Sequence, residues 1–357
     1  MDAPSLAEIE EILSRHGVTH VGVTTADILD RAREAILERR EQGLHGGMGF
    51  TYRNPERSTD PQRAVEGAKS IIVAARPYLT DADPPEPPGR GPHARVGRYA
   101  WVDHYAPLRV GLREAGGLIK KAGYRAVSFA DDNSLVDRAV AERAGLGWFG
   151  RNANLLLPGA GSFFVLGSIV TTAEYPPASA SVADACGTCT RCVDACPTDA
   201  IVDRAVVDGR RCLSWVLQKA GAVPDEYRVA AGDRIYGCDD CQDVCPISVR
   251  LGPRNTLPLP PGAMASIDAS EVLEASDEWI LERCGRWYIA DRDVRWLRRN
   301  ALLVIANTGE PGSARLRALV ERYRSGHDEI LAEHAEWALS RLDERRAHSS
   351  GTPPQTP

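Results

Sequence analysis

The run CGTCTRCVDACP sets Cys186, Cys189, Cys192 and Cys196 at C-x2-C-x2-C-x3-C spacing, with Pro197 directly after. Thiolates at this spacing hold a [4Fe–4S] cluster with the first three sulfurs, while the fourth reaches a neighbouring cluster. A zinc site more often pairs two C-x2-C units, or cysteine pairs with histidine pairs, a dozen or more residues apart. A shorter run, Cys238, Cys241 and Cys245 with Pro246, is one ligand short, and Cys212 is the obvious supplement. The alternation rule then gives Cys186, Cys189, Cys192 and Cys245 to one cluster and Cys196, Cys212, Cys238 and Cys241 to the other. Cys284, left over, reads as a small buried apolar side chain on a helix. Paired clusters pass single electrons, so the block is a relay that needs a destination. Most of the 357 residues lie outside it, which favours an attached reductase over a simple carrier.

Composition narrows the setting. Hydrophobic content of 43% and charged content of 26% are those of an ordinary globular protein, and no stretch approaches the roughly 18 consecutive apolar residues that span a bilayer. The opening MDAPSLAEIEEIL is acidic where a secretory leader is basic, so a cytoplasmic location is expected. Nine cysteines in a reducing compartment are metal ligands before they are disulfides. The net charge of −6 argues against a general nucleic-acid coat. Yet between Arg283 and Arg324 ten arginines face four acids, a candidate basic surface.

The elements that must position this chemistry fall into three blocks. Ser5 and Glu8 form a capping box ahead of a first helix, followed by a strand-like VTHVGVTT and a helix over 27–42. SIIVAA (70–75) reads as a buried strand and TDADPPEPPGRGP (80–92) as an irregular loop. A helix over 105–121, a strand at 125–130, a helix from Ser134 to Ala144 and a strand at 162–171 complete an α/β or α+β layer. The cysteine block, 186–245, lacks long periodic segments. After Pro253 only amphipathic helices are expected, at 277–288, 292–309, 313–326 and 328–346, in the manner of a helix-pair solenoid. The tail HSSGTPPQTP, 348–357, reads as disordered. Neither a G-x-G-x-x-G strand–helix turn nor a P-loop is present, so the residues alone define a two-cluster redox protein with an open acceptor.

Three stretches go further. AGLGWFGRNANLLL (144–157), RIYGCDDCQDVCP (234–246) and VRWLRRNALLVIAN (294–307), in that order around the cysteines, resemble the epoxyqueuosine reductases. The resemblance implies an α/β (α+β) cobalamin-binding catalytic domain at 1–176, a ferredoxin-like domain with two [4Fe–4S] clusters at 177–252, and an all-α HEAT-like domain contacting tRNA at 253–347. It implies reduction of epoxyqueuosine to queuosine at the wobble position of a tRNA anticodon stem-loop. Electrons would pass from an external donor, such as a flavodoxin or ferredoxin system, through the clusters to cobalamin in a monomeric enzyme.

In that family an aspartate seventeen positions before the AGLGW tryptophan is a general acid beside the cobalt; counting back from Trp148 gives Asp131. Opening an epoxide makes an alkoxide that must be protonated, so a carboxylic acid is apt. The bland alternative is a cap on the helix at Ser134, the role left for Asp132. Arg57, Leu155, Leu166 and Ser214 fall where the family contacts the corrin; their bland readings are a solvated arginine, two core leucines and a capping serine.

Departures from the family pattern are visible. DDNSLVDR carries Ser134 for proline and Asp137 for glutamate, Gly150 is followed by Arg151 instead of lysine, and D-Y-H becomes Asp103, His104, Tyr105. They leave open a related corrinoid reductase for a small epoxide or halogenated substrate, and a non-catalytic two-cluster carrier.

Overall fold

A computed structural model describes residues 2–86, 89 and 91–350; the rest of the tail expected to be disordered lies outside the described residues. The chain forms two compact units. The first takes the chain up to Ala82 with Asp103–Cys212 and Asp239–Pro260; the second takes Asp83–Val102, Leu213–Cys238 and the chain from Pro261 onward.

The first unit is organised by a four-stranded antiparallel sheet in the order His20–Thr25, Ser70–Pro77, Phe164–Thr171, Ala126–Phe129. Ser70–Pro77 is central and covered on both faces, which is why it reads as a continuous apolar run instead of alternating. Ile71, Val73 and Ala75 face a core shared with Val140 and Ala141 of the helix Asp137–Arg143. The other face takes the helix Tyr105–Lys121: Gly167 lies opposite Ala74 in the sheet, and a Cβ on Gly167 would stand 2.6 Å from a Leu112 methyl. A larger residue there would have to displace the Leu112 side chain. The expected capping box is present, with Ser5 accepting from the Glu8 amide at 3.3 Å and Glu8 accepting from the Ser5 amide at 2.8 Å.

Two expectations are revised. The helix after Asp131 starts at Asp137, three residues later than the pattern indicated, because Ser134 is tied into a turn. The helix end carries no side-chain cap at Val136, so Asp132 is not a helix cap; its Oδ1 instead accepts the Ser134 amide at 2.7 Å. The segment after Pro253 is also not purely helical. Ser266–Asp268 forms a strand antiparallel to His93–Val96, which pairs in parallel with Arg234–Tyr236. The edge partners lie far apart in sequence, and three-residue strands leave no readable alternation.

In the second unit the helix Arg295–Thr308 is the axis, with Trp296, Leu297 and the run Arg299–Ala306 buried. Helices Ala269–Glu274, Ala314–Arg324 and Glu329–Ser350 surround it, capped at Asp268 and Ser313, and the last continues helical through Ser350, past the expected start of the tail. Among the described residues no helix is long and apolar enough to cross a membrane.

Candidate functional site

The cysteines lie in short turns and single-turn helices, Arg191–Asp194 and Asp240–Asp243 among them. Backbone bonds from Cys189 N to Cys186 O, Cys196 N to Val193 O and Cys245 N to Gln242 O, each 3.1 Å, shape the loops. The Cys192 thiol is held above its ordinary range, first by burial and then by Cys245, Cys186 and Cys189 around it. Those are the four thiols that the alternation rule groups. No described cysteine is in a disulfide. Four sulfurs that repel one another as thiolates are a donor set for cationic iron, so the residues fit an iron–sulfur cluster. In the other set, Cys196 Sγ accepts the Ala200 amide at 3.2 Å, and Asn154 Nδ2 lies 3.9 Å from Cys241 Sγ. Asn152 Nδ2 donates to Cys241 O at 3.2 Å, which ties that turn to the loop between Trp148–Phe149 and Leu155–Leu156.

Asp131 follows the strand Ala126–Phe129 and adopts a left-handed backbone, φ 56°. Aspartate tolerates that region better than most residues, though it remains sparsely populated and clusters at functional sites. Asp131 is exposed as a residue, yet its carboxyl is raised above the usual carboxylate range, by burial first; Arg109 opposes the rise and Asp103 and Asp132 add to it. The loop is fastened from below. Asn54 caps the helix Pro55–Ser58, Arg57 Nη2 donates to Ser134 Oγ at 2.9 Å, and Val136 N donates to Ser58 O at 3.0 Å. Ser134, the residue standing for the family proline, is buried.

Asp137 is the group that sequence reasoning missed. One of its carboxylate oxygens is buried with no hydrogen-bond partner among the described residues, and its pKa is pushed up to about 8, by burial first and then by Asp131. The Tyr105 hydroxyl is raised as well, by burial and then by Asp137 and Asp131. Asp103 completes the group, accepting from the Tyr105 and Ala106 amides at 3.0 and 2.9 Å and from Arg109 Nη2 at 2.7 Å. The sequence carried one signal, the acids of DDNSLVDR, but nothing local indicated which would be buried. The arrangement can hold a proton on Asp137 at neutral pH and sets a second carboxyl of raised pKa, Asp131, on an exposed loop.

The remaining candidates are placed as follows. Leu155 and Leu166 are buried together in the core that backs the sheet. Ser214 lies in the second unit on the short helix Leu213–Val216, with Gln218 Nε2 3.5 Å from its hydroxyl. Cys284 is buried on its helix, as read from the sequence, and its thiol is pushed up to about 12 by that burial. The arginine-rich stretch is largely consumed internally. Arg295 pairs with Asp293 and Asp328, Arg298 with Asp277, Arg315 with Glu274, Arg317 with Asp343 and Arg324 with Glu321. Arg299 is fully buried and donates to the Leu217 and Lys219 carbonyls at 3.0 Å each and to that of Gly221.

Comparison with known proteins gives these parts a context. A family described as a 4Fe-4S double cluster binding domain matches residues 185–248. An epoxyqueuosine reductase of Bacillus anthracis is 31% identical over 331 residues, covering 91% of this chain and 86% of that protein. The chain belongs to the epoxyqueuosine reductase family. It is thereby an iron–sulfur oxidoreductase. The epoxyqueuosine reductase of Streptococcus thermophilus has the same fold, with a TM-score of 0.85 at 28% identity over 99% of this chain and 95% of the other. An epoxyqueuosine reductase solved with an epoxyqueuosine-modified tRNA-Tyr stem loop matches at a TM-score of 0.85 and 28% identity, over 98% of this chain and 95% of that one. The expected fold class, an α/β layer joined to a double-cluster block and a helical region, is therefore the one found.

Proposed function

We propose that this epoxyqueuosine reductase reduces the epoxide of epoxyqueuosine in the anticodon stem-loop of tRNA to the alkene of queuosine, with two [4Fe–4S] clusters feeding electrons to cobalamin. The observation that carries the reading is the Asp131 carboxyl, raised above the usual carboxylate range by burial, on a fastened loop in the same compact unit as seven of the eight cysteines of the relay. The reaction takes two electrons and two protons and releases water. Asp131 gives a proton to the oxygen released from carbon, and Asp137, neutral until about pH 8, keeps a second negative charge away from it. Asp103 and Arg109 hold the polar rim of the loop.

A reduced corrin, when bound, would supply the electrons that break the carbon–oxygen bond. Support for a corrin comes from the residues on hand. The Trp148 indole N–H is buried without a partner among the described residues and suits an amide-rimmed ring, and Arg57 stands at the Asp131 loop. We assign Arg57, Asp131, Leu155, Leu166 and Ser214 to the corrin. Cys186, Cys189, Cys192 and Cys245 are assigned to one cluster, and Cys196, Cys212, Cys238 and Cys241 to the other. The catalytic part is 1–176, the cluster part 177–252 and the tRNA-contacting part 253–347 of a cytoplasmic monomer. In the last part Arg322 is exposed and has no ion pair among the described residues, as a phosphate contact requires.

The test is anaerobic reconstitution with iron, sulfide and cobalamin, quantitation of iron and corrin, and mass spectrometry of nucleosides from epoxyqueuosine-containing tRNA after addition of reductant. Conversion to queuosine is expected. Unchanged epoxyqueuosine on protein carrying its full complement of clusters and corrin refutes the proposal.

A further inference from the structure

The two cysteine sets are unequally supplied with hydrogen bonds. Among the described residues, no other residue donates to the sulfurs of Cys186, Cys189, Cys192 or Cys245. In the other set Cys196 Sγ accepts the Ala200 amide at 3.2 Å, and the Asn154 side-chain amide stands 3.9 Å from Cys241 Sγ. Thr198 Oγ1 is 3.8 Å from Cys196 Sγ, but its proton goes to the Arg211 carbonyl at 2.7 Å, which ties this turn to the one that precedes Cys212.

Asn154 is held for this contact from several sides. It ends the turn that joins Trp148–Phe149 to Leu155–Leu156. Gly150 N donates to Asn154 O at 2.8 Å, and Asn154 N donates to Asn152 Oδ1 at 3.2 Å. Ala153, between them, is left-handed with φ 60°, a conformation alanine keeps only where its surroundings impose it. Arg138 Nη1 fixes that residue by donating to its carbonyl at 3.1 Å. Asn152 Nδ2 donates to the Cys241 carbonyl at 3.2 Å, so two asparagines of one turn grip one cysteine, by its backbone and by its sulfur. Toward the first set the turn sends Arg151, whose Nη2 donates to the Gly187 carbonyl at 3.3 Å and not to a sulfur.

Reduction adds one electron to a cluster and makes or breaks no bond. The added charge spreads over the sulfurs, so a donor aimed at a ligand sulfur stabilises the reduced form more than the oxidised one and raises the potential. We propose that Asn154 is a positioning residue that raises the reduction potential of the cluster bound by the set containing Cys196 and Cys241, and leaves that of the other cluster unchanged. The inference rests on the two-cluster assignment given above. The Ala200 amide acts in the same sense but belongs to the backbone, which makes Asn154 the side chain open to test.

The experiment uses the full chain reconstituted anaerobically with iron and sulfide, as wild type, Asn154→Asp and Asn154→Leu. Iron is quantified, and the clusters are titrated with titanium(III) citrate and redox mediators while their electron paramagnetic resonance signal is followed. Wild type is expected to bind about eight irons per chain and to show two one-electron midpoints. Asn154→Asp keeps the shape of asparagine and, when ionised, offers the sulfur only acceptor oxygens. It is expected to lower one midpoint by about 59 mV, a tenfold shift in a one-electron equilibrium, and Asn154→Leu to lower the same midpoint by about half as much. The second midpoint is the internal reference and is expected to keep its wild-type value. Unmoved midpoints in both variants at full iron content overturn the proposal. So does an equal fall of both midpoints, which marks a general change in fold or solvent access that a merely structural role would produce. Iron is scored separately: fewer than two clusters per wild-type chain refutes the assignment on which the inference rests, whereas full iron with unmoved midpoints refutes the inference alone.

Discussion

Replacing Asp137 by asparagine removes the one carboxyl whose burial the sequence did not announce, and its consequence can be worked through. The ordinary value for this group is 3.8 and the folded protein pushes it to about 8. Between those values the unfolded chain has released the proton while the folded chain keeps it. Stability is therefore greatest at low pH and falls as pH rises, until the folded carboxyl also ionises near pH 8. The slope is about 1.4 kcal/mol per pH unit for a full proton of difference. From pH 6 to pH 8 this amounts to at most about 2.7 kcal/mol, and because Asp137 is only half-buried we take about 1.5 kcal/mol after solvent screening. Asparagine is neutral throughout, so Asp137→Asn should gain about 1.5 kcal/mol on wild type between pH 6 and pH 9. Urea unfolding of the reconstituted proteins by circular dichroism, at both pH values, measures the difference of differences. A wild-type-to-variant gap that is the same at pH 6 and pH 9 refutes the burial argument.

Other outcomes follow from the same geometry. Asp131→Asn is expected to retain iron and corrin and to lose about 10²–10⁴-fold in turnover; wild-type turnover would reduce Asp131 to a turn residue. Ser134→Ala removes the acceptor that holds Arg57 against the loop, a charge-assisted bond worth about 1.5–3 kcal/mol. It should lower kcat with little change in KM for tRNA, and Ser134→Thr should restore it; an alanine variant with wild-type kcat disproves the clasp. Arg299→Leu removes the donor to the Lys219 carbonyl and one of the two side-chain donors to the Leu217 carbonyl, and should cost about 3 kcal/mol in thermal unfolding. An unchanged melting temperature would contradict that.

Much of this chemistry was legible because it is local. Cysteines at C-x2-C-x2-C-x3-C-P bring their sulfurs together through a few backbone turns, so the metal follows from spacing. The central strand and the helix Tyr105–Lys121 were equally plain, since a continuous apolar run and a 3.6-residue stripe report how many faces are covered. Asp131 is proposed from the resemblance carried by the segment at Trp148, and the structure adds the raised carboxyl and the left-handed backbone.

The long-range relations needed the folded chain. The grouping of Cys245 with Cys186, Cys189 and Cys192 is a rule of alternation; what the folded chain adds is that these three thiols act on the Cys192 thiol. The ten arginines of 283–324 looked like a basic face by count, but most bond to acids or carbonyls of their own unit, and one is wholly buried. Whether a charge faces water, a partner or the core depends on which distant segments pack against it. The burial of Asp137 belongs to the same class. Ligand spacing is set by covalent geometry and is written in the sequence, whereas desolvation and surface shape arise from residues far apart along the chain and exist only once it has folded.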